Sequence, residues 1–272
     1  MKIAVIQLGY DDQESPAART ERAAGLVAAQ QAADLVILPE LWAPTGFGYA
    51  AWASNAEPLD GPWAATMRDA AIAAGCTLHA GSFVERLQEC GPEGKALANT
   101  SVVFGADGEL LGVYRKIHLF GFSAGEPELM EPGPEIVLVD IDAVANTPGG
   151  DQVTAGLSTC YDLRFPELYR EQIGHGATMF LVPAAWPSPR VEHWRLLGRA
   201  RAVENQSFVV QCNTAGQHAG TAMGGHSQVV SPSGVVLGEL AHADEGVLTV
   251  EVDLSEVAAY REAFPVLADR RI

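Results

Sequence analysis

Cysteine is scarce and scattered in this chain. Cys76, Cys90, Cys160 and Cys212 are the only four, and no two stand in a C-x-x-C pair. That spacing offers neither a disulfide framework nor a zinc-binding cluster, so reduced thiols in a cytoplasm are the expectation. Basic residues are few as well. The 272 residues carry 17 Lys and Arg against 34 Asp and Glu, a formal net charge of −17. A nucleic-acid binder, or a protein that docks on anionic lipid, carries the opposite sign. Long apolar runs are missing too. No stretch approaches the roughly 18 residues of a membrane span. The opening run Ile3–Leu8 is too short for a signal-peptide core and is soon followed by Asp11, Asp12 and Glu14. Repeats, low-complexity tracts and linkers are absent, since the Gly/Pro-rich pieces at 91–94 and 146–151 suit short surface loops. One domain over residues 1–272 is expected, with neither nucleic acid nor membrane as a partner.

What is present is a succession of short β-branched apolar runs: 3–8, 35–38, 77–84, 101–104, 110–114, 136–139, 154–158, 179–182, 208–212, 228–231 and 247–252. Between several of them lie Ala-rich stretches with helical patterning at 16–33, 62–75, 166–175 and 190–205. This alternation predicts an α/β fold with largely buried strands. Asp107-Gly108 and Ser233-Gly234 each separate two strand-like runs and predict hairpins, so the sheets are mixed rather than purely parallel.

Three segments place reactive side chains where a strand stops. The run 34–38 meets Pro39, which cannot continue a central ladder, and delivers Glu40. A Gly/Pro/aromatic loop follows it, Leu41-Trp-Ala-Pro-Thr-Gly-Phe-Gly-Tyr49, suited to lining a pocket. The hairpin strand near 110–114 ends in Tyr114, Arg115, Lys116 and His118. The strand near 154–158 ends at Cys160, with Pro166 placed to open a helix whose N-terminal amides favour thiolate over thiol. Ligands of α/β sheets collect outside the strands' carboxyl ends, so a base, a cation and a nucleophile fall at one edge. Each segment alone also fits a plainer role: a solvated strand end for Glu40 or Lys116, a buried structural thiol for Cys160. Cys76 and Cys212, in apolar surroundings, suit that structural role better.

Together, Leu38-Pro-Glu40, Tyr114-Arg-Lys116-Ile-His-Leu-Phe120 and Cys160-Tyr-Asp-Leu-Arg-Phe-Pro-Glu167 resemble the nitrilase, or carbon–nitrogen hydrolase, superfamily. The likeness runs through Asn99-Thr-Ser-Val, Pro183-Ala-Ala-Trp-Pro, His193-Trp, Ala200-Arg-Ala-Val-Glu-Asn205 and the stretch 225–234. It implies a four-layer α-β-β-α sandwich that dimerises through its outer helices. It also implies a Glu-Lys-Cys triad, carried here onto Glu40, Lys116 and Cys160. The family often has a second active-site glutamate ahead of a Pro-Gly; Glu126, six residues before Pro132, is chosen over Glu128. Glu128 and Glu131 are otherwise expected in an exposed acidic loop. The stretch 121–127 is shorter and richer in glycine than in many relatives.

The resemblance further implies hydrolysis of a carboxamide through a cysteine thioester, with no metal and no organic cofactor. In that scheme the backbone N–H of Tyr161 joins Lys116 in holding the oxyanion. The run after Cys160, the loop Ala185-Trp-Pro-Ser-Pro-Arg190 and the ending Tyr260-Arg-Glu-Ala-Phe-Pro265 look most like the ω-amidase branch, which acts on ω-amides of dicarboxylates. Related branches cleave aliphatic amides, deaminated glutathione, N-carbamoyl compounds or nitriles, and a catalytically silent binding member is the reading of another class. A substrate carboxylate calls for a cation. Arg190 is the candidate, with Trp186 and Phe47 as apolar walls; Arg190 also suits an ordinary pairing with Glu192. The six acids in 239–256 read as solvated surface, and Arg190, Arg195, Arg199 and Arg201 as facing only Glu192 and Glu204.

Overall fold

Strict alternation along buried strands decides the architecture. In β1 (Lys2–Gln7) the side chains of Ile3 and Val5 face one way and those of Ala4 and Ile6 the other, and all four are buried. A strand buried on both faces needs a layer above and a layer below. The computed structural model describes residues 1–122, 124–142 and 152–271, so the loop expected at 146–151 lies outside the described residues. Its further strands are β2 (Gly9–Tyr10), β3 (Leu35–Ile37), β4 (Thr77–Arg86), β5 (Leu97–Phe104), β6 (Leu110–Arg115), β7 (Leu138–Asp142) and β8 (Gln152–Leu157). Then come β9 (Met179–Ala184), β10 (Phe208–Asn213), β11 (Ala215–His218), β12 (Thr221–Ala222), β13 (Gln228–Val230), β14 (Val236–Glu239) and β15 (Gly246–Glu251). The helices are α1 (Pro16–Ala28), α2 (Tyr49–Asn55), α3 (Pro62–Ala74), α4 (Glu126–Leu129), α5 (Pro166–Gly174), α6 (Val191–Asn205) and α7 (Ser255–Ala263).

Two six-stranded sheets result, ordered β15-β1-β3-β4-β5-β6 and β14-β13-β10-β9-β8-β7. Both are mixed. Strands β1, β3 and β4 run parallel, as do β8, β9 and β10, and the edges are antiparallel. Both expected hairpins form, β5 to β6 and β13 to β14. The sheets meet face to face through Val5, Ile37, Val103 and Tyr114 on one side and Ala155, Leu157, Leu181 and Val210 on the other. Behind the first sheet, Ile6 and Val36 pack on Ala23 and Val27 of α1 and on Met67 of α3. Behind the second, Phe180 and Val209 pack on Leu168 of α5 and on Trp194 and Ala202 of α6. The fold is therefore a four-layer α-β-β-α sandwich. Among the described residues no helix is long and apolar enough to cross a membrane.

Several expected boundaries move for local reasons. The stretch 16–33 stops being helical at Ala28, where Gln30 N–H turns back onto Val27 O in a tight closing turn. Strand β5 begins at Leu97 rather than at 101, because Asn99, Thr100 and Ser101 are buried polar residues with partners inside the sandwich. Strand β7 lies at Leu138–Asp142 instead of 136–139, its register set by pairing with β8. Glu239 is not solvated surface: it bonds Arg195 (2.8 Å) and contacts His226 Nδ1 (2.7 Å), so Arg195 does not face Glu192 alone.

Two histidines make the frame sensitive to acid. His79 of β4 is fully buried, its Nδ1 accepting Gly81 N–H, and burial holds its pKa down to about 4. His218 of β11 is buried against the Tyr10 ring, 4.4 Å between centroids; burial, then the Arg19 charge, holds it also at about 4. Below the ordinary histidine value of about 6.5 the unfolded chain takes up these protons and the folded chain does not. Stability is therefore full above about pH 6.5 and falls toward pH 4, by on the order of 3 kcal/mol per histidine. Urea midpoints measured across that window should decline, and less steeply for His79→Gln. Equal slopes would count against the assignment.

Candidate active site

Cys160 stands on a sharp elbow. Strand β8 ends at Leu157, and Cys160–Arg164 then wind one tight turn of 3-10 helix. The backbone of Cys160 is left-handed, φ 49°, a conformation that persists in a non-glycine residue only when its surroundings impose it. They do so through a reciprocal cap. The Thr159 side chain accepts from the Asp162 backbone while Asp162 Oδ2 accepts Thr159 N–H at 2.8 Å. Only 8% of Cys160 is exposed.

Facing the elbow, the first sheet contributes a buried charge cluster. Glu40 follows β3 past Pro39, Lys116 follows β6, and Glu126 opens α4. Lys116 Nζ donates to Glu40 Oε1 at 2.7 Å and to Glu126 Oε1 and Oε2 at 3.0 and 2.8 Å. Asn99 Nδ2 bridges the same two carboxylates, 2.8 Å to Glu40 and 2.6 Å to Glu126. The free oxygen of Glu40 accepts Ala185 N–H at 2.9 Å, and Glu126 accepts Phe120 N–H. Such a set of buried charges survives because nearly every lone pair and proton has a partner. Burial opposes the Lys116 ammonium, but Glu126 and Glu40 outweigh it and hold the pKa well above the lysine range. Burial raises the Glu126 carboxyl against the pull of Lys116.

The thiol departs from expectation. Burial first, and then the Glu40 charge, push Cys160 well above the ordinary thiol range, and Lys116 only partly offsets them. The helix amides expected to favour thiolate do not decide its state, because a buried anion beside a carboxylate is disfavoured more strongly. Beside Glu40 the site therefore favours the thiol over the thiolate.

Glu126 and Glu128 separate clearly: Glu126 is in the cluster and Glu128 is exposed. Glu131 is not in an exposed acidic loop. It is buried, accepts Glu93 N–H (2.7 Å) and Lys95 N–H (3.3 Å), and fastens the loop before β5.

The cavity at Cys160 has two arms, each with about 20 Å³ of free volume, divided by Phe47 and Phe120, whose rings meet edge to face at 6.4 Å. One arm touches Glu40, Lys116 and Glu126, along with Tyr49 and Trp52. The other is walled by Tyr161 and Trp186 and bears Arg164 and Arg190. All eight residues singled out in the sequence thus reach this cavity. Arg190 does not pair with Glu192, which binds Arg195; its guanidinium lies over the Phe120 ring at 5.6 Å, and its carbonyl accepts Trp186 Nε1–H. Arg164 lies over Trp186 at 4.8 Å. Among the described residues neither guanidinium has a carboxylate partner. A larger groove, about 460 Å³ between α1, α2 and α3, contains none of these groups. Among the described residues no cluster of His, Cys, Asp or Glu is arranged to hold a metal ion.

Asn99, Tyr49 and Arg164 were not singled out as site residues. Asn99 lies two residues before the apolar run 101–104, and its signal is its place in the Asn99-Thr-Ser-Val stretch that carries the family likeness. Arg164 and Tyr49 sat inside motifs read for their neighbours.

The family profile described as carbon–nitrogen hydrolase matches residues 2–262. A 2-oxoglutaramate amidase of Paenarthrobacter nicotinovorans is 42% identical over 271 residues, covering 100% of this chain and 90% of that protein. A solved CN-hydrolase superfamily protein of Xanthomonas campestris, with an arsenic adduct in its active site, superposes with a TM-score of 0.87. It is 28% identical and covers 100% of this chain and 97% of its own. A mutant amidase of Nesterenkonia sp. AN1, with the acetamide moiety of fluoroacetamide added covalently at its active-site cysteine, has a TM-score of 0.81. It is 27% identical, over 100% of this chain and 94% of that one.

Proposed function

This chain belongs to the carbon–nitrogen hydrolase family, and we propose that within it the protein is an ω-amidase whose reaction is carried by Glu40, Lys116, Cys160 and Glu126. It is an amidase, cleaving a carbon–nitrogen bond other than a peptide bond. The observation that carries the residue roles is the single ammonium shared by two buried carboxylates beside a buried thiol.

Glu40 takes the thiol proton as sulfur attacks the carboxamide carbon, so charge never rests on an unsupported thiolate. The Lys116 ammonium and the Tyr161 backbone N–H stabilise the tetrahedral oxyanion, each by a few kcal/mol as preorganised donors of this kind do. Glu40 then passes the proton to the departing ammonia and leaves a Cys160 thioester. A water activated by Glu40 releases the carboxylic acid and restores the thiol. Glu126 holds Lys116 on this path through both its oxygens.

The ω-amide reading rests on the second arm of the cavity. Two guanidiniums without an acidic partner among the described residues, framed by Trp186, Phe47 and Tyr161, suit a small substrate whose far end is a carboxylate. The name carried by the Paenarthrobacter relative agrees. Ammonia release from a panel of ω-amides, aliphatic amides, carbamoyl amino acids and nitriles tests it; preference for a neutral aliphatic amide would overturn the substrate class. Arg190→Leu is expected to lower kcat/KM for succinamate at least tenfold while changing butyramide hydrolysis less than twofold, in line with losing one charge-assisted contact of about 1.5–3 kcal/mol. Equal effects on both would remove Arg190 from recognition.

The protein is further proposed to act in the cytoplasm as a homodimer. Its four cysteines are unpaired, α6 exposes Leu196 and Val203, Val203 packs on Gly234 of the β13–β14 turn, and Val235 and Leu237 after that turn are exposed too. Light scattering reads the dimer directly.

A further inference from the structure

We infer that Asp162 is a positioning residue that sets where Lys116 stands relative to Cys160, by tying the end of one sheet to the elbow of the other. The inference rests on the roles given above to those two residues.

The Asp162 carboxylate is fully buried and takes two donors on each oxygen. Oδ1 accepts His118 N–H at 3.0 Å and faces His118 Nδ1 at 2.8 Å. Oδ2 accepts Tyr114 O–H at 2.7 Å and Thr159 N–H at 2.8 Å. Tyr114 and His118 bracket Lys116 at the end of β6, in the first sheet. Thr159 and Asp162 bracket Cys160 after β8, in the second. One side chain therefore spans the seam between the sheets at the point where ammonium and thiol must meet. Its neighbours are fixed in turn, with the His118 ring stacked on Phe165 at 3.8 Å and Thr159 Oγ1 within 3.1 Å of Ser101 Oγ.

The chemistry of the four donors explains why an acid stands there. Each oxygen takes one backbone N–H, a group that cannot turn into an acceptor. An asparagine has one carbonyl oxygen and one NH2, so in either orientation its NH2 would point at a backbone N–H. Only a carboxylate meets both segments at once. Lost on either side, the tie frees the left-handed Cys160 or the Lys116 segment, and small misplacements of reacting groups cost large factors in rate.

Asp162→Asn separates this role from simple structural support. The readouts are kcat, KM, and the pH profile of Cys160 alkylation by iodoacetamide, followed by peptide mass so that Cys90 does not contribute. The groups facing the thiol are Glu40, Lys116 and Glu126, and the profile reports their placement. Folded Asp162→Asn is expected to lose kcat by about 100-fold with KM changed less than threefold, and to show a displaced alkylation profile. Parent-like kcat and profile, whatever happens to Tm, would overturn the inference. Should that variant not fold, Tyr114→Phe decides, since it removes one donor and keeps both backbone bonds. A threefold to tenfold fall in kcat with a displaced profile is expected, and an unchanged kcat and profile would overturn it. Cys160→Ala assayed in parallel keeps the two ideas apart. If that variant still hydrolyses amide, the nucleophile assignment fails; if it is dead while Asp162→Asn is parent-like, only the role of Asp162 fails.

Discussion

Cys160→Ala is expected to abolish turnover, by on the order of 10⁵-fold in kcat, while the protein unfolds at the temperature of the parent. The size follows from losing the covalent route altogether, as when a hydrolase loses its nucleophile. The retained fold follows from the surroundings. The elbow is shaped by the Thr159–Asp162 cap, which does not involve sulfur, and alanine tolerates φ 49° no worse than cysteine does. Ammonia release under saturating amide, together with intact mass after quenching, checks both halves. Residual turnover within 100-fold of the parent, or a covalent acyl adduct on the variant, would show that another group attacks.

Lys116→Met is the second large effect, and it strikes stability as well as rate. Among the described residues the ammonium is the only cation bonded to both Glu40 and Glu126, and their Oε1 atoms already share Asn99 Nδ2. Removing one partner of a buried ionic cluster costs about 3–5 kcal/mol, because the remaining charge is left uncompensated. The pH dependence has a definite sign. Without Lys116 the Glu126 carboxyl, already raised by burial, rises further above its unfolded value, so the penalty is full at neutral pH and shrinks as the pH falls and a proton joins the pair. Denaturant unfolding at pH 7.5 and pH 5 should show the larger loss at pH 7.5. The kcat is expected to drop about 10²–10³-fold, the usual cost of one oxyanion donor. A methionine variant equally destabilised at both pH values would mean that the carboxylates do not depend on this lysine.

The α/β class and the three candidate strand ends were legible because both depend on short-range signals, whereas the four layers and the triad came from the resemblance to the carbon–nitrogen hydrolases. Buried strands announce themselves as β-branched runs, and Pro39, the Tyr114–Phe120 cluster and Pro166 mark where those runs stop. Alternation within the buried runs sorts side chains to the inter-sheet face or the helix face, but it does not say which strands share a sheet. Polar residues inside the sandwich were harder. Asn99, Asp162 and Glu131 look like surface types and are buried because donors from distant segments converge on them. Sequence spacing carries no information about that convergence. Helices α2 and α7 went unread for a related reason: each buries little more than one residue, Trp52 and Val257, and so lacks a repeating apolar stripe. The state of Cys160 failed for a third reason. Helix amides were visible at sequence level, whereas the carboxylate that outweighs them comes from residue 40.

The seam between the sheets has a consequence for how this enzyme tolerates change. Glu40 and Lys116 ride on one sheet and Cys160 on the other, and the layer of Val5, Ile37, Val103, Leu157 and Leu181 between them works as a spacer of fixed thickness. If the proposed roles hold, conservative swaps deep in that layer, far from the cavity, alter the gap between the Glu40–Lys116 pair and Cys160. Such changes are expected to slow the enzyme as well as weaken the fold, and a second swap across the layer that restores the lost volume is expected to recover both.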